Sequence, residues 1–207
     1  MLFTGSGVAI VTPFNRDFSV NYELFEKLLE FHISNLTDAI IVCGTTGESA
    51  TLSHIEHEDL IDFAVKQING RIPVIAGTGS NETNRAIRLT KCAEKSGADG
   101  LLIVTPYYNK TSQKGLFKHY KLISESTCLP IIMYNVPSRT SLNMSAKTAI
   151  ELSKIKNIVA TKEASSNIVQ IAEIARDADP DFCIYSGNDN ETIPILSLGA
   201  KGVISVA

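Results

Sequence analysis

Short apolar runs and amphipathic segments alternate along the whole chain. The runs are rich in β-branched residues and almost continuously apolar, which is typical of strands that are buried on both faces. These runs occupy 7–14, 39–44, 72–77, 100–106, 130–137, 157–164, 182–187 and 202–207. The pattern therefore predicts eight strands of a parallel sheet.

The segments between these runs have the period of helices that pack through one apolar face. They cover 22–33, 53–68, 81–97, 112–126, 145–154, 167–178 and 191–199. Ser53 and Glu56 have the spacing of a capping box at the start of the second segment, and Gly97 is suited to end the third. Strands that alternate with helices indicate a parallel sheet that is covered by helices.

Such a sheet is either open and doubly wound or closed into a barrel. An open sheet usually has a glycine-rich phosphate loop after its first strand, and the stretch TPFNRDFS at 12–19 contains no such loop. We therefore predict an α/β fold, a (β/α)8 TIM barrel, as a single domain over residues 1–207. Because the last apolar run reaches the final residue, we expect a barrel that is C-terminally truncated within or just after strand 8.

Composition and charge exclude several classes of function. The chain has 207 residues, of which 44% are hydrophobic and 20% are charged, as in ordinary globular domains. Its net charge of −3 gives no basic surface for nucleic acid, and no apolar run is long enough to cross a membrane. The N-terminus lacks the charged and apolar regions of a signal peptide.

The cysteines have neither metal-ligand nor redox spacing. They are Cys43, Cys92, Cys128 and Cys183. We expect reduced residues in or near the core of a cytoplasmic protein. His54 and His57 are close in sequence, but no third ligand accompanies them, so we expect a surface pair and no metal site.

Polar residues gather where the predicted strands end. In a (β/α)8 barrel these C-terminal ends surround the active site. Candidates there are Thr45, Thr46, Tyr108, Tyr134, Arg139, Lys162 and Gly187. Each residue taken alone also fits a structural role, and Lys162 could simply emerge into solvent. Together they would lie on one rim, which favours a site.

The residue types on this rim suit carbonyl chemistry. A lysine amine that is neutral attacks a carbonyl group to form a Schiff base, and burial lowers its pKa. A tyrosine with threonine partners can transfer the protons that this reaction requires. The GTTG turn at 44–47 offers backbone N–H groups to a carboxylate, and Arg139 can bind a second carboxylate through two hydrogen bonds.

Seven motifs together carry a family resemblance. They are GTTGES (44–49), IPVIAGTGSN (72–81), VTPYYNK (104–110), YNVPSRT (134–140), KEAS (162–165), SGND (186–189) and GVISV (202–206). With these motifs the chain resembles the 4-hydroxy-tetrahydrodipicolinate synthase family, historically called dihydrodipicolinate synthases. These are Schiff-base-forming lyases of the class I aldolase type on a (β/α)8 barrel.

The resemblance implies a reaction and a role for each site residue. The reaction condenses pyruvate with L-aspartate 4-semialdehyde to give 4-hydroxy-tetrahydrodipicolinate, in lysine and diaminopimelate biosynthesis. No cofactor is implied beyond the lysine–pyruvate imine. Lys162 would form that imine, Tyr134 would shuttle protons, and Thr45 and Tyr108 would complete the proton relay. The implied substrate contacts are Thr46 and Ile204 to pyruvate, Arg139 to the carboxylate of the semialdehyde, and Gly187.

The resemblance also implies an assembly and a longer chain. The residue that matches Tyr108 reaches into the neighbouring subunit's site, so a dimer is the expected minimal active unit and a homotetramer of two dimers the expected assembly. Members of the family continue past GVISV, so we expect this chain to lack the last barrel helix and a further helical region.

Three other functions remain open at this point. One is a different pyruvate-dependent aldolase of the family, such as an N-acetylneuraminate lyase or a keto-deoxy sugar acid aldolase, although Arg139 favours a small carboxylated aldehyde. A second is an inactive fragment whose barrel cannot close. The third is a phosphate-binding barrel isomerase, but SGNDNETIP at 186–194 is not a glycine-rich phosphate cup.

In relatives that lysine inhibits, the lysine site lies at the dimer interface. The matching positions here are Ser49, Ala50, His54, His57, Asn81, Arg85 and Tyr107. Arg85 stands where an acidic residue would bind the α-amine of lysine. Because two cations repel each other, we predict weak or absent inhibition by lysine.

Overall fold

The structure is a computed structural model that describes residues 2–206, and its centre is a closed barrel of eight parallel strands. The strands are β1 (Gly5–Ala9), β2 (Ala39–Val42), β3 (Val74–Gly77), β4 (Gly100–Val104), β5 (Ile131–Asn135), β6 (Ile158–Glu163), β7 (Cys183–Ser186) and β8 (Gly202–Ser205). Each strand pairs with its neighbours in the chain, and β8 pairs with β1. The predicted (β/α)8 barrel is confirmed, while its outermost residues, Met1 and Ala207, lie outside the described residues.

Helices follow the first seven strands and cover the outside of the barrel. They are α1 (Tyr22–Ser34), α2 (His54–Ile68), α3 (Thr83–Ser96), α4 (Gln113–Ser124), α5 (Pro137–Thr140), α6 (Ala146–Ser153), α7 (Ile168–Asp177), a 3-10 helix (Asp189–Glu191) and α8 (Thr192–Ser197). The predicted capping box is present, since the Glu56 amide donates to Ser53 Oγ and the Ser53 amide donates to Glu56 Oε2 at 2.8 Å. Across residues 2–206 no helix has the length and apolar character that a membrane span requires.

Two parts of the chain differ from the predicted elements. The first apolar run predicts a strand over 7–14, but β1 ends at Ala9. Pro13 has no N–H to give to a strand ladder, and Phe14 pairs in antiparallel fashion with Val20 instead. The period of apolar residues also does not predict α5 or the 3-10 helix, because neither is long enough to complete a repeat.

Alternate residues of each strand enter two separate apolar layers. In β2, Ile41 faces the barrel interior, where it belongs to a cluster with Ile75, Leu102 and Ile132. Ile40, the neighbour of Ile41, belongs to the larger cluster between barrel and helices. Because both layers are closed to water, a polar side chain on either face of a strand needs a partner or a function.

The seam between β8 and β1 completes the barrel. Gly202 lies opposite Gly5 in this pairing, and a Cβ atom added at Gly202 would clash with the Gly5 backbone. Tyr185 and Phe3 stack inside the barrel with ring centroids 4.5 Å apart, and the Tyr185 hydroxyl donates to the Phe3 carbonyl at 2.7 Å. Since β8 pairs with both of its neighbours, the alternative of a barrel that cannot close is wrong.

The cysteines follow the prediction only in part. Cys43 and Cys183 are buried, and Cys92 is partly buried in α3. Cys128 is exposed in the loop before β5, so the prediction of a core or near-core position is wrong for this residue. All four thiols are free.

We expect Gly202→Ala to destabilise the protein by about 3 kcal/mol because the added methyl group would force β8 away from β1. Urea unfolding measures this loss. Gly44→Ala is the matched control, since its Cβ would meet only Ile41 Cγ2, at 3.8 Å. Equal stability of the two variants would show that the seam tolerates a wider spacing.

Candidate active site

A cavity of about 410 Å³ opens at the C-terminal ends of the strands. Its lining is Ala9, Gly44, Thr45, Thr46, Leu102, Tyr134, Val136, Ser138, Arg139, Lys162, Gly187, Asn188, Asp189, Asn190, Ile204, Ser205 and Val206. This set includes every predicted site residue except Tyr108. The structure therefore brings together residues that lie far apart in sequence.

Lys162 and Tyr134 lie side by side in the wall of this cavity. Lys162 in β6 is the register partner of Tyr134 in β5, and both side chains face the barrel interior. Lys162 is only 5% exposed and Tyr134 only 6% exposed. The Lys162 Nζ atom lies 4.3 Å from the centroid of the Tyr134 ring, so the amine and the aromatic side chain are in direct contact.

Burial and neighbouring charges set the protonation of Lys162. Burial, with a smaller contribution from the cation of Arg139, lowers the pKa of Lys162 to about 8, although the carboxylate of Asp189 opposes both effects. Such a lysine is neutral in roughly one tenth of the molecules at pH 7. Burial also raises the pKa of Tyr134, so its phenol keeps its proton at neutral pH. The cavity thus holds a usable nucleophile beside a proton donor.

Gly187 leaves room for the Lys162 side chain. A Cβ atom at Gly187 would lie 2.9 Å from Ala164 Cβ and 3.0 Å from Lys162 Cε. The Gly187 amide donates to the Glu163 carbonyl at 2.7 Å, which ties the end of β7 to the end of β6. A larger residue here would push against the Lys162 side chain.

The turn that carries Thr45 and Thr46 is held by hydrogen bonds. The Thr12 hydroxyl donates to the Gly47 carbonyl at 2.7 Å, and the Glu48 amide donates to the Thr45 carbonyl at 3.1 Å. Glu48 has a φ of 57°, a left-handed conformation that reverses the chain direction. The turn therefore presents both threonines at the cavity instead of continuing β2.

Arg139 reaches the cavity from the short helix α5. Pro137 begins this helix, and the Arg139 amide donates to the Val136 carbonyl at 3.0 Å. The Thr105 hydroxyl donates to Thr140 Oγ1 at 3.2 Å and thereby ties α5 to the segment after β4. Arg139 is an exposed residue that lines the cavity, so it can be reached by a carboxylate from solution.

Tyr108 does not line the cavity. Its side chain is 90% exposed, and its backbone has a φ of 69°, which is unusual for a residue other than glycine. The structure thus separates Tyr108 from the other predicted site residues.

Some residues of the cavity were absent from the predicted set. Asp189 accepts a hydrogen bond from the Ser205 hydroxyl at 2.5 Å, which links the 3-10 helix to β8. The motif SGND could have indicated Asn188 and Asp189, because it follows a predicted strand. Ser205 lies within the motif GVISV, but its partnership with Asp189 depends on where β8 lies.

A groove of about 320 Å³ adjoins the cavity and shares Thr45 and Arg139 with it. Its lining includes Ser49, Ala50 and Tyr107, three of the positions that match a lysine site in the family. The groove and the cavity therefore meet along the edge of the GTTG turn.

His57 is buried, so the predicted surface pair of His54 and His57 is wrong for this residue. His57 Nε2 lies 2.9 Å from the Gly77 carbonyl oxygen, which makes it part of the barrel wall. Burial lowers the pKa of His57 to about 4, and the Arg85 cation contributes to this shift. Within residues 2–206, no three histidine, cysteine or acidic side chains form a group that could hold a metal ion.

Comparisons with known proteins agree with this geometry. The sequence model of the Dihydrodipicolinate synthetase family matches residues 2–207. A 4-hydroxy-tetrahydrodipicolinate synthase from Thermoanaerobacter sp. (strain X514) is 58% identical over 206 residues, which are 99% of this chain and 69% of that protein. Other curated relatives are matched over a similar share of their length.

Solved structures of synthases have the same fold. The dihydrodipicolinate synthase from Aquifex aeolicus is 52% identical with a TM-score of 0.96, over 99% of this chain and 70% of that one. The synthase from Cyanidioschyzon merolae, solved with lysine bound, is 47% identical with a TM-score of 0.97, over 100% and 70% of the two chains. Both the sequence and the fold therefore show that this chain belongs to the Dihydrodipicolinate synthetase family.

Proposed function

We propose that the chain is a lyase that condenses pyruvate with L-aspartate 4-semialdehyde through a Schiff base on Lys162. The product is 4-hydroxy-tetrahydrodipicolinate, an intermediate of lysine and diaminopimelate biosynthesis. The observation that carries this proposal is the buried Lys162 amine, with a pKa of about 8, in a cavity that also holds Tyr134 and Arg139. Family membership supports the reaction.

The first half of the reaction uses pyruvate alone. The neutral Lys162 amine attacks the ketone carbon, and Tyr134 supplies the proton that lets the oxygen leave as water. The resulting iminium group withdraws electrons, so the methyl carbon gives a proton to the Tyr134 phenolate and the imine becomes an enamine, which restores the proton on Tyr134 for the next step. The Thr46 turn binds the pyruvate carboxylate, and Ile204 packs against the methyl group. The lysine serves as the electron sink, which is why no cofactor is required.

The second half forms the carbon–carbon bond. The enamine carbon attacks the aldehyde carbon, and the aldehyde oxygen takes a proton from Tyr134 to become a hydroxyl group. Arg139 binds the carboxylate of the aldehyde substrate. The amine of that substrate then attacks the iminium carbon and displaces Lys162, which closes the ring and restores the free enzyme.

Thr45 and Tyr108 complete the proton relay in this proposal. The exposure of Tyr108, at 90%, supports a side chain that enters the site of a neighbouring subunit. A dimer is then the minimal active unit, and we propose a homotetramer of two such dimers. We also propose a cytoplasmic location, where free thiols and biosynthetic substrates are found together.

Reduction with borohydride tests the Schiff base directly. We expect a three-carbon adduct on Lys162 by intact mass and peptide mapping after incubation with pyruvate. Lys162→Ala should give no adduct, whereas Lys156→Ala, which changes a lysine outside the cavity, should react as the parent does. A panel of aldehydes then distinguishes this synthase from a sugar-acid aldolase. An adduct on another lysine would refute the assignment.

The rate of trapping should depend on pH through Lys162. Because only the neutral amine reacts, we expect the rate to rise about tenfold per pH unit below a midpoint near 8 and to level off above it. Asp189→Asn removes the carboxylate that raises this pKa, so the midpoint should move to lower pH. A midpoint that stays in place in this variant would contradict the electrostatic account.

Lysine should inhibit this enzyme weakly or not at all. The Arg85 cation stands where an acidic side chain would bind the lysine α-amine, and the neighbouring His57 is neutral at pH 7 because of its low pKa. Steady-state assays with added lysine measure this. Arg85→Glu should increase sensitivity to lysine by at least about tenfold, since it replaces a repulsive charge with an attractive one. Inhibition of the parent at low lysine concentration would show the prediction to be wrong.

A further inference from the structure

A buried polar pair lies behind the reactive face of β5 and β6. Asn135 and Glu163 immediately follow Tyr134 and Lys162, and they are register partners as well. Because side chains alternate along a strand, this pair faces the layer between barrel and helices. Asn135 Nδ2 donates to both Glu163 carboxylate oxygens, at 3.4 and 3.3 Å. Both residues have no exposed surface.

Hydrogen bonds alone compensate for the burial of Glu163. The Ser165 hydroxyl donates to Glu163 Oε2 at 2.8 Å, and the Thr161 hydroxyl donates to Oε1 at 3.4 Å. None of the ion pairs formed within residues 2–206 includes Glu163. Burial raises the pKa of Glu163 to about 7. An unpaired acid costs stability in such a layer, where a leucine would pack without this penalty.

Asn135 connects the pair to the helices outside the barrel. Its Oδ1 atom accepts from the Met144 amide at 3.0 Å, and its Nδ2 atom donates to Asn143 Oδ1 at 2.9 Å. Asn143 in turn donates to Gln170 Oε1 of α7 at 2.8 Å. The network thus runs from β6 through β5 into the segment before α6 and on to α7.

We propose that Glu163 is a positioning residue that fixes the Lys162 amine relative to the Tyr134 phenol through its contact with Asn135. The two strands carry reactive groups on one face and the Glu163–Asn135 contact on the other, one residue further along. If β5 slid along β6, the contact between Lys162 and Tyr134 and the contact between Glu163 and Asn135 would change together. The inference rests on the roles proposed above for Lys162 and Tyr134.

Two substitutions separate positioning from charge. Glu163→Gln keeps an acceptor for Asn135, and its amide can donate to the Ser165 hydroxyl, so its trapping rate should stay within about threefold of the parent. Glu163→Leu removes every acceptor. Its rate of adduct formation on Lys162 should fall at least tenfold, because a displacement of about 1 Å can cost roughly 100-fold. The KM for pyruvate should change less than about threefold, since the binding groups remain.

The pH profile distinguishes this role from an electrostatic one. The pKa of Lys162 is set by burial and by the charges of Arg139 and Asp189. Glu163 does not contribute to this shift. The midpoint of trapping should therefore be the same in Glu163→Gln as in the parent. A shifted midpoint, or a glutamine variant as slow as the leucine variant, would overturn the proposal in favour of a role for the charge.

Thr90→Val is the matched control for a lost buried hydrogen bond. In the parent, the Thr90 hydroxyl lies 3.1 Å from Thr78 Oγ1, and neither residue belongs to β5 or β6. We expect a lower melting temperature with an unchanged trapping rate per folded molecule. If Glu163→Leu does not fold, Glu163→Asp shortens the side chain by one CH2 group, withdraws the carboxylate from Asn135 and should slow trapping several-fold.

Full-rate trapping in Glu163→Leu, or in Glu163→Asp where the leucine variant does not fold, overturns the proposal for Glu163 alone. Absence of the adduct in the parent chain would instead overturn the proposed function, and the role of Glu163 with it.

Discussion

The removal of one ammonium group from water is the constraint on which this structure depends. Lys162 ends a strand that is buried on both faces, and only 5% of its surface is exposed. A protonated amine is unfavourable there, so burial lowers the pKa of Lys162 and raises the fraction of neutral amine that the proposed Schiff-base chemistry needs. The closed barrel keeps water from Lys162, so the pairing of β8 with β1 supports the proposed chemistry as well as the fold.

The two faces of each strand lie in different surroundings: one faces the barrel interior and the other faces the helices. On β5 and β6 the inner face holds Tyr134 and Lys162 in contact, while the outer face holds Asn135 and Glu163 in a closed hydrogen-bond network. The same alternation that builds two apolar layers elsewhere thus places reactive groups and their support one residue apart. This spacing makes the geometry of the site a property of strand register.

The sequence was informative wherever a local rule or a repeated period applies. The eight strands follow from β-branched runs, and the capping box at Ser53 follows from the spacing of two residues. The candidate cavity followed from the rule that strand ends meet on one rim, which correctly grouped Lys162 with Arg139 although they come from different elements.

The predictions that failed or were missing concern contacts between residues that lie far apart in the sequence. Burial of His57 depends on how α2 packs on the barrel, where its ring meets the Gly77 carbonyl, and the helical period alone does not reveal this contact. The partnership of Ser205 with Asp189 depends on the position of β8 beside β7. The network around Glu163 likewise joins residues that only the register of β5 and β6 brings together.

Arg139 contributes to the site in two ways. Together they favour one order of substrate binding. Its cation lowers the pKa of Lys162, and its guanidinium is suited to bind a carboxylate. A carboxylate on Arg139 would cancel part of this positive field, and Lys162 would then hold its proton more tightly. With the roles proposed for Lys162 and Arg139, imine formation is therefore easiest while Arg139 is still unoccupied. Once the imine exists, the same carboxylate stabilises the positive iminium group instead of hindering the amine, so the electrostatics favour pyruvate first and the carboxylated aldehyde second.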